Sequence, residues 1–304
     1  MITKPTRLAA LLLGTLLLSA CETMSVAPVG NLVGQLGGGS TGHNTLDVVH
    51  DVVSGATAAF KDYTAAEQRT LGTEFSAVLL GARPLLRNER VQRYVNQVGV
   101  WVASQADKPL DKEGKPIQFA WRFGVIDTDA VNAYATPGGY IFITLGLLKQ
   151  LESEAELAGV LAHEIAHVTR GHYLAALKKG GFAQIAGGVV KAKAGSGVVS
   201  SAMVNAVRNI YSRGLDQSDE FQADRLGVLY AARAGYSPQG LPNVLRLYAA
   251  SGSKGDANYS ILFSTHPAPT ERSQRIEPMV SSQLAQADTT ENEKRFLAMR
   301  RQLR

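Results

Sequence analysis

Residues 153–178 read SEAELAGVLAHEIAHVTRGHYLAALK, and this stretch decides the fold. Ser153 with Glu156 three residues later forms a capping box, the local signature of a helix start. Good helix formers follow, and the spacing predicts one long helix running to about Lys178. Within it stand His163 and His167. At 3.6 residues per turn, positions i and i+4 lie about 40° apart and about 6 Å along the axis, so both imidazoles face one point. Two such nitrogens suit a tetrahedral Zn²⁺. Glu164 sits about 100° round the helix, beside that point, where it can take a proton from a water at the metal.

A catalytic zinc needs a third protein ligand. The extended pattern HExxHxxGxxH does not supply it, because Gly171 and His172 are displaced from the required positions. A helix continuing through Ala175 would also turn His172 towards solvent. The better source is residues 219–224, DEFQAD, in which Glu220 and Asp224 are again i and i+4 on an expected helix. One carboxylate can bind zinc while the other hydrogen-bonds the far nitrogen of a ligand histidine and fixes its tautomer. An acidic pair at this spacing is ordinarily an exposed helix face. Two histidines in search of a third ligand reverse that reading, with Asp216 and Asp219 as rivals.

The surroundings read as a mainly helical α+β domain over residues 46–290. Apolar residues at three-and-four spacing predict helices over 62–80 and 88–105, and helices resume over 218–234, 238–250 and 270–284. Residues 117–126 alternate aromatic and polar and read as a strand. Two further short strands, 130–135 and 140–144, flank Pro137-Gly138-Gly139 and predict a hairpin. Residues 180–197 are rich in Gly, Ala and Val and read as a lid, a membrane-contacting loop or a loose connector. The charged residues 291–304 read as a short helix or a frayed tail.

The N-terminus reads as an address. Residues 1–7 are short and basic, residues 8–18 are apolar, and Ser19, Ala20 and Cys21 follow. That is the plan of a secretory signal peptide over residues 1–20, too short for a membrane span. The lone cysteine after Leu18-Ser19-Ala20 resembles a bacterial lipobox, which implies lipidation of Cys21 and anchoring in a membrane. Glu22 stands where an aspartate would favour the inner membrane, so the inner leaflet of the outer membrane is expected, with the domain in the periplasm. Residues 21–45 read as a flexible tether.

Composition excludes several classes. The chain has 304 residues, 45% hydrophobic and 19% charged, which rules out general disorder. One cysteine rules out a disulfide framework. Removing Lys4 and Arg7 with the signal peptide leaves 29 − 26 = +3 and no basic cluster, so no nucleic-acid partner is expected.

HEIAH at 163–167, SRGLDQSDEFQAD from Ser212, and NAYATPGG from Asn132 resemble, in order and spacing, the Ste/HtpX/Oma-type zinc endopeptidases. Bacterial periplasmic lipoprotein members are the nearest in character. The resemblance covers about residues 60–280 and implies a gluzincin fold with His163, His167 and Glu220 as zinc ligands, Glu164 as general base and Asp224 behind a ligand histidine. It further implies that Asn132 and the Ala133 backbone, on an exposed strand edge, hold an extended peptide. His266, before Pro267 and Arg272, would either stabilise the oxyanion or occupy the open zinc position. The expected substrates are unfolded or misassembled envelope proteins. The competing reading is a periplasmic chaperone or assembly factor with a latent or structural zinc site; an intact Glu164 argues against it.

Overall fold

The computed structural model describes residues 63–111, 114–180, 201–252, 257–266, 268–287 and 290–303. The expected signal peptide, Cys21 and the tether lie outside the described residues, as do residues 181–200. The fold is α+β and mainly helical, with one small sheet.

The helix carrying HEIAH is the axis of the molecule. It is α4 (Glu154–Arg170), where α1 is Ala65–Ala82, α2 Glu89–Ser104 and α3 Leu145–Gln150. The Ser153 hydroxyl accepts from the Glu156 backbone N–H and caps it. All of its residues are buried, so it has no solvent face and behaves as a core helix. Around it pack α2, the sheet, α7 (Gln217–Arg233) and α8 (Gly240–Gly252). α1 starts at a capping box formed by Thr64 and Glu67, and α2 at Asn88.

The sheet order is β1 (Arg122–Ile126), β3 (Tyr140–Thr144), β2 (Ala133–Ala135). β2 and β3 form the expected antiparallel hairpin, pairing Ala133 with Ile143 and Ala135 with Ile141. β1 runs parallel to β3, from Arg122 opposite Tyr140 to Ile126 opposite Thr144. The strand expected over 117–126 is confined to its second half; before it, Ile117 N–H bonds the Pro109 carbonyl instead. The strand expected over 130–135 likewise begins only at Ala133.

The expected single helix from Ser153 to Lys178 is two helices. Gly171 adopts the left-handed conformation, φ 67° and ψ 26°, and its N–H turns back to the Val168 carbonyl. Glycine enters that region without the Cβ penalty other residues meet. α5 (His172–Lys179) then leaves in a new direction. Further along lie α6 (Ser201–Arg213), α9 (Ser260–Thr265) and α10 (Pro269–Pro278), the last continuing as a π turn over Met279–Gln283.

Residues near the C-terminus are docked rather than frayed. In α11 (Glu293–Arg300) the Phe296 side chain is fully buried. Glu154, at the first position of α4 and itself fully buried, accepts hydrogen bonds from Tyr94, Tyr236, Asn292 and Arg295. The backbone N–H groups of Glu154 and Ala155 bond the Glu291 carbonyl, which satisfies donors a helix start leaves open. Among the described residues, no helix is long and apolar enough to cross a membrane.

Candidate metal centre and active site

The two motif histidines meet as the helix geometry requires. His163 Nε2 and His167 Nε2 stand 3.0 Å apart, both rings buried. α7 crosses α4 here and brings in Glu220, whose Oε1 is 3.4 Å from His167 Nε2 and whose Oε2 is 3.6 Å from His163 Nε2. Asp224, one turn on, lies behind His163 with Oδ1 3.0 Å from Nδ1. The His266 ring enters from the end of α9, Nδ1 2.8 Å from Glu220 Oε2 and Nε2 3.9 Å from Glu164 Oε1. One donor atom each from His163, His167, Glu220 and His266 falls within 4.8 Å of the others. Asp216 and Asp219 stay outside this group; Asp216 pairs with Lys179 at the surface.

Arg272 of α10 locks the two acids of α7 in place. Its Nε and Nη2 bond Asp224 at 2.8 and 2.6 Å, and its Nη1 stands 3.0 Å from Glu220 Oε2. Burial would raise both carboxyl groups, but at Glu220 the His266 and Arg272 charges, and at Asp224 the Arg272 guanidinium, hold them below the usual range. Glu164 is different: burial raises its pKa above the ordinary carboxylate value, and its Oε2 has no hydrogen-bond partner among the described residues.

The expected solvent-facing role of His172 is overturned. The turn at Gly171 swings this ring back under α4, where it is buried with Nδ1 2.8 Å from His167 Nδ1 and Nε2 3.0 Å from Gln222 Oε1. Burial pulls its pKa down to about 4 and holds His167 well below the usual histidine value, so both rings are neutral at pH 7. At His163 burial acts the same way, but hydrogen bonds to Asp224 and Glu220 outweigh it and push the group up to about 9.

The donor set fits a divalent cation. Glu220 and Asp224 are buried carboxylates held ionised beside the Arg272 guanidinium, Glu164 adds a third buried carboxyl group, and without metal a proton on His163 fills the place a cation would take. Among the described residues Glu220 Oε1 is buried without a hydrogen bond, beside two imidazole nitrogens turned towards each other. Buried charge needs compensation, and a cation among these nitrogens and oxygens supplies it.

Beside the cluster runs the hairpin. Thr144 N–H bonds the Asn132 carbonyl and Thr136 N–H the Tyr140 carbonyl, so Ala133 and Ala135 present their backbone groups to the outer edge. That edge is less open than the expected exposed strand. Tyr211 of α6 donates to the Ala135 carbonyl at 2.6 Å, and the Ala135 N–H faces the Tyr173 hydroxyl. Asn132 is buried, its side-chain amide without a hydrogen bond among the described residues. A small apolar hollow adjoins Ala133 and Glu164, walled by Val160, Leu241, Val244 and Leu262.

Comparison with known proteins agrees with this arrangement. Residues 86–280 match Peptidase family M48, and the chain belongs to that family. It is 26% identical over 226 residues to the beta-barrel assembly-enhancing protease of Escherichia coli K12, covering 71% of this chain and 44% of that one. It is 31% identical over 157 residues to the mitochondrial metalloendopeptidase OMA1 of Arabidopsis thaliana, covering 52% and 31%. With the metalloprotease YcaL of Escherichia coli K12 the figures are 30% over 179 residues, 56% and 64%. The chain spans about half the length of the curated relatives it matches or less, YcaL apart.

Arg272 was visible in the sequence only as an arginine following His266. His172 is weighed in the sequence only to be turned towards solvent, and Gln222 carries no signal there. The signal was Gly171, the one residue in the predicted helix suited to a left-handed stop.

Proposed function

We propose that this chain is a zinc metalloendopeptidase of the bacterial envelope, acting on unfolded or misassembled polypeptides. The observation that carries the reading is the buried cluster of His163, His167 and Glu220 with Glu164 beside it. His163, His167 and Glu220 would hold the ion. When bound, zinc would supply a Lewis acid that polarises the scissile carbonyl and acidifies water.

The chain's own residues do the rest. Glu164, its pKa raised by burial, accepts the proton of the attacking water and returns it to the leaving amine nitrogen. Asp224 fixes His163 through Nδ1, and Arg272 fixes Asp224 and Glu220. An extended peptide would pair with the Ala133 backbone, with the buried Asn132 side chain next to it in the strand and the small hollow lined by Val160 and Leu241 adjoining. Only a segment free to become a strand can bind in this way, which selects loosely folded chains.

His266 lies within donor reach of the same point as the three ligands. That position favours the gating role over the oxyanion role: the ring takes the place substrate and water need. It also gives weight to a second reading, an assembly factor with a latent site. The envelope location rests on the lipobox-like Cys21 and on the beta-barrel assembly named for the relative in Escherichia coli. The anchor would be lipidated Cys21 in the inner leaflet of the outer membrane.

Casein cleavage with and without chelator, beside Glu164→Gln and His266→Ala, tests the reading. Cleavage is expected to vanish with chelator and with Glu164→Gln, and to rise in His266→Ala. A zinc-loaded protein that cuts no unfolded substrate even as His266→Ala would overturn it in favour of the assembly factor.

A further inference from the structure

A histidine that binds a metal through one nitrogen needs its other nitrogen committed as a donor, otherwise the ring can present N–H to the ion. For His163 the acceptor is the carboxylate of Asp224. For His167 no carboxylate or carbonyl bonds Nδ1 among the described residues. The atom there is His172 Nδ1, at 2.8 Å. Two imidazole nitrogens at that distance share one proton, and which ring owns it decides whether His167 can serve as a ligand at all.

The far side of His172 settles ownership. Its Nε2 is 3.0 Å from the Gln222 amide oxygen, an acceptor, while Asp219 Oδ1 stands beyond hydrogen-bond distance at 3.8 Å. The Gln222 contact requires that Nε2 carry the hydrogen. A neutral imidazole has one N–H, so His172 Nδ1 is left with a lone pair. His167 Nδ1 must then be the donor, which leaves its Nε2 lone pair on the metal-facing side, where without metal the His163 Nε2–H donates to it at 3.0 Å. We propose that Gln222 and His172 form a two-step tautomer relay that fixes His167 as a metal ligand, His172 being a positioning residue of the centre. The inference rests on the zinc reading above and goes beyond it, since it assigns two residues outside the HEIAH and Glu220 set. Gly171 makes the relay possible: in an unbroken helix, residue i+5 lies about 140° round from residue i and cannot meet it.

The test uses the full chain with ¹⁵N-labelled histidine, which gives only six imidazoles to assign. In metal-free wild type, His167 is expected as the Nδ1–H tautomer. In His172→Leu it is expected to lose that preference, and zinc affinity in a chelator competition to fall about 10- to 100-fold. His172→Asn places an amide oxygen where Nδ1 stood and should restore both readouts, which a packing role would not do. Gln222→Leu should weaken zinc while Gln222→Glu keeps it, and this pair carries the test if His172→Leu does not fold. His167 found as the Nε2–H tautomer in wild type would overturn the relay, as would unchanged zinc affinity in His172→Leu. Because the spectrum is taken on metal-free protein, it decides the relay even if zinc uptake, and with it the peptidase reading, fails.

Discussion

Gly227 of α7 lies against the backbone of His163: a Cβ built on it would stand 2.9 Å from the His163 nitrogen. This contact sets the distance between the helix that carries the two histidines and the helix that carries Glu220 and Asp224. Gly227→Ala must therefore push α7 outward. The expected cost is about 1–3 kcal/mol, as for overpacking of a tight core, with a loss of zinc affinity. Gly81, near the end of α1, meets nothing within 4 Å, and Gly81→Ala should instead stabilise by roughly 0.5–1 kcal/mol. Thermal melts and zinc titration of the two variants check the opposite signs.

Metal uptake should release protons. Without metal, His163 is held up at about 9, so at pH 7 it carries a proton that a metal must displace. Zinc affinity is expected to rise with pH up to about 9 and then level. Calorimetry in buffers of different ionisation enthalpy should find about one proton released per ion at pH 7. The sign for stability runs the other way. The folded value lies above the ordinary one of about 6.5, so the zinc-free protein is most stabilised by this group below pH 6.5. It loses that stability as pH rises through 9. Melts of chelated protein from pH 6 to 9.5 test this.

Arg295→Ala should destabilise the start of the catalytic helix although Arg295 lies far from the centre. Its partner Glu154 is fully buried, and loss of the guanidinium leaves that carboxylate short of a donor. About 1–3 kcal/mol is expected from denaturant melts. Arg93→Ala, which breaks an exposed pair with Glu89, should change stability by about 0–1 kcal/mol.

Tyr211→Phe should improve substrate binding. Its hydroxyl holds the Ala135 carbonyl, which an incoming strand would otherwise use. One further main-chain hydrogen bond is worth about 1 kcal/mol, so KM for an unfolded substrate should fall about fivefold with kcat little changed. An unchanged KM would mean that substrate does not run along this edge.

What could be read from the sequence was local. The pentad from His163 to His167, the Ser153 cap and the turn after Ala135 each lie within a few residues, and each has a fixed geometry. Glu220 and Asp224 could be selected by spacing alone because α7 repeats the i and i+4 logic of α4. The parallel pairing of β1 with β3 has no local signal, since either hand of pairing suits the alternation of Phe123 to Thr144. His172 was lost through one residue. The apolar spacing on either side of Gly171 is helical, and only the backbone angle at that glycine tells where the next ring points. The docking of α11 was hidden because Arg295 meets a partner 141 residues earlier.

That separation sets the order in which the enzyme comes into being. Glu154 is synthesised long before Arg295, so a growing chain holds every element of its active centre while the carboxylate at the head of α4 still lacks a cation. Tyr94 and Tyr236 offer it neutral donors but no positive charge, so α4 should settle fully into the core only when the closing segment brings Arg295. Chains halted before residue 291 should accordingly bind zinc poorly and remain protease-sensitive, as limited trypsin digestion would show. The closing segment thus acts as a folding checkpoint: the metal centre is complete in sequence before it can be complete in space.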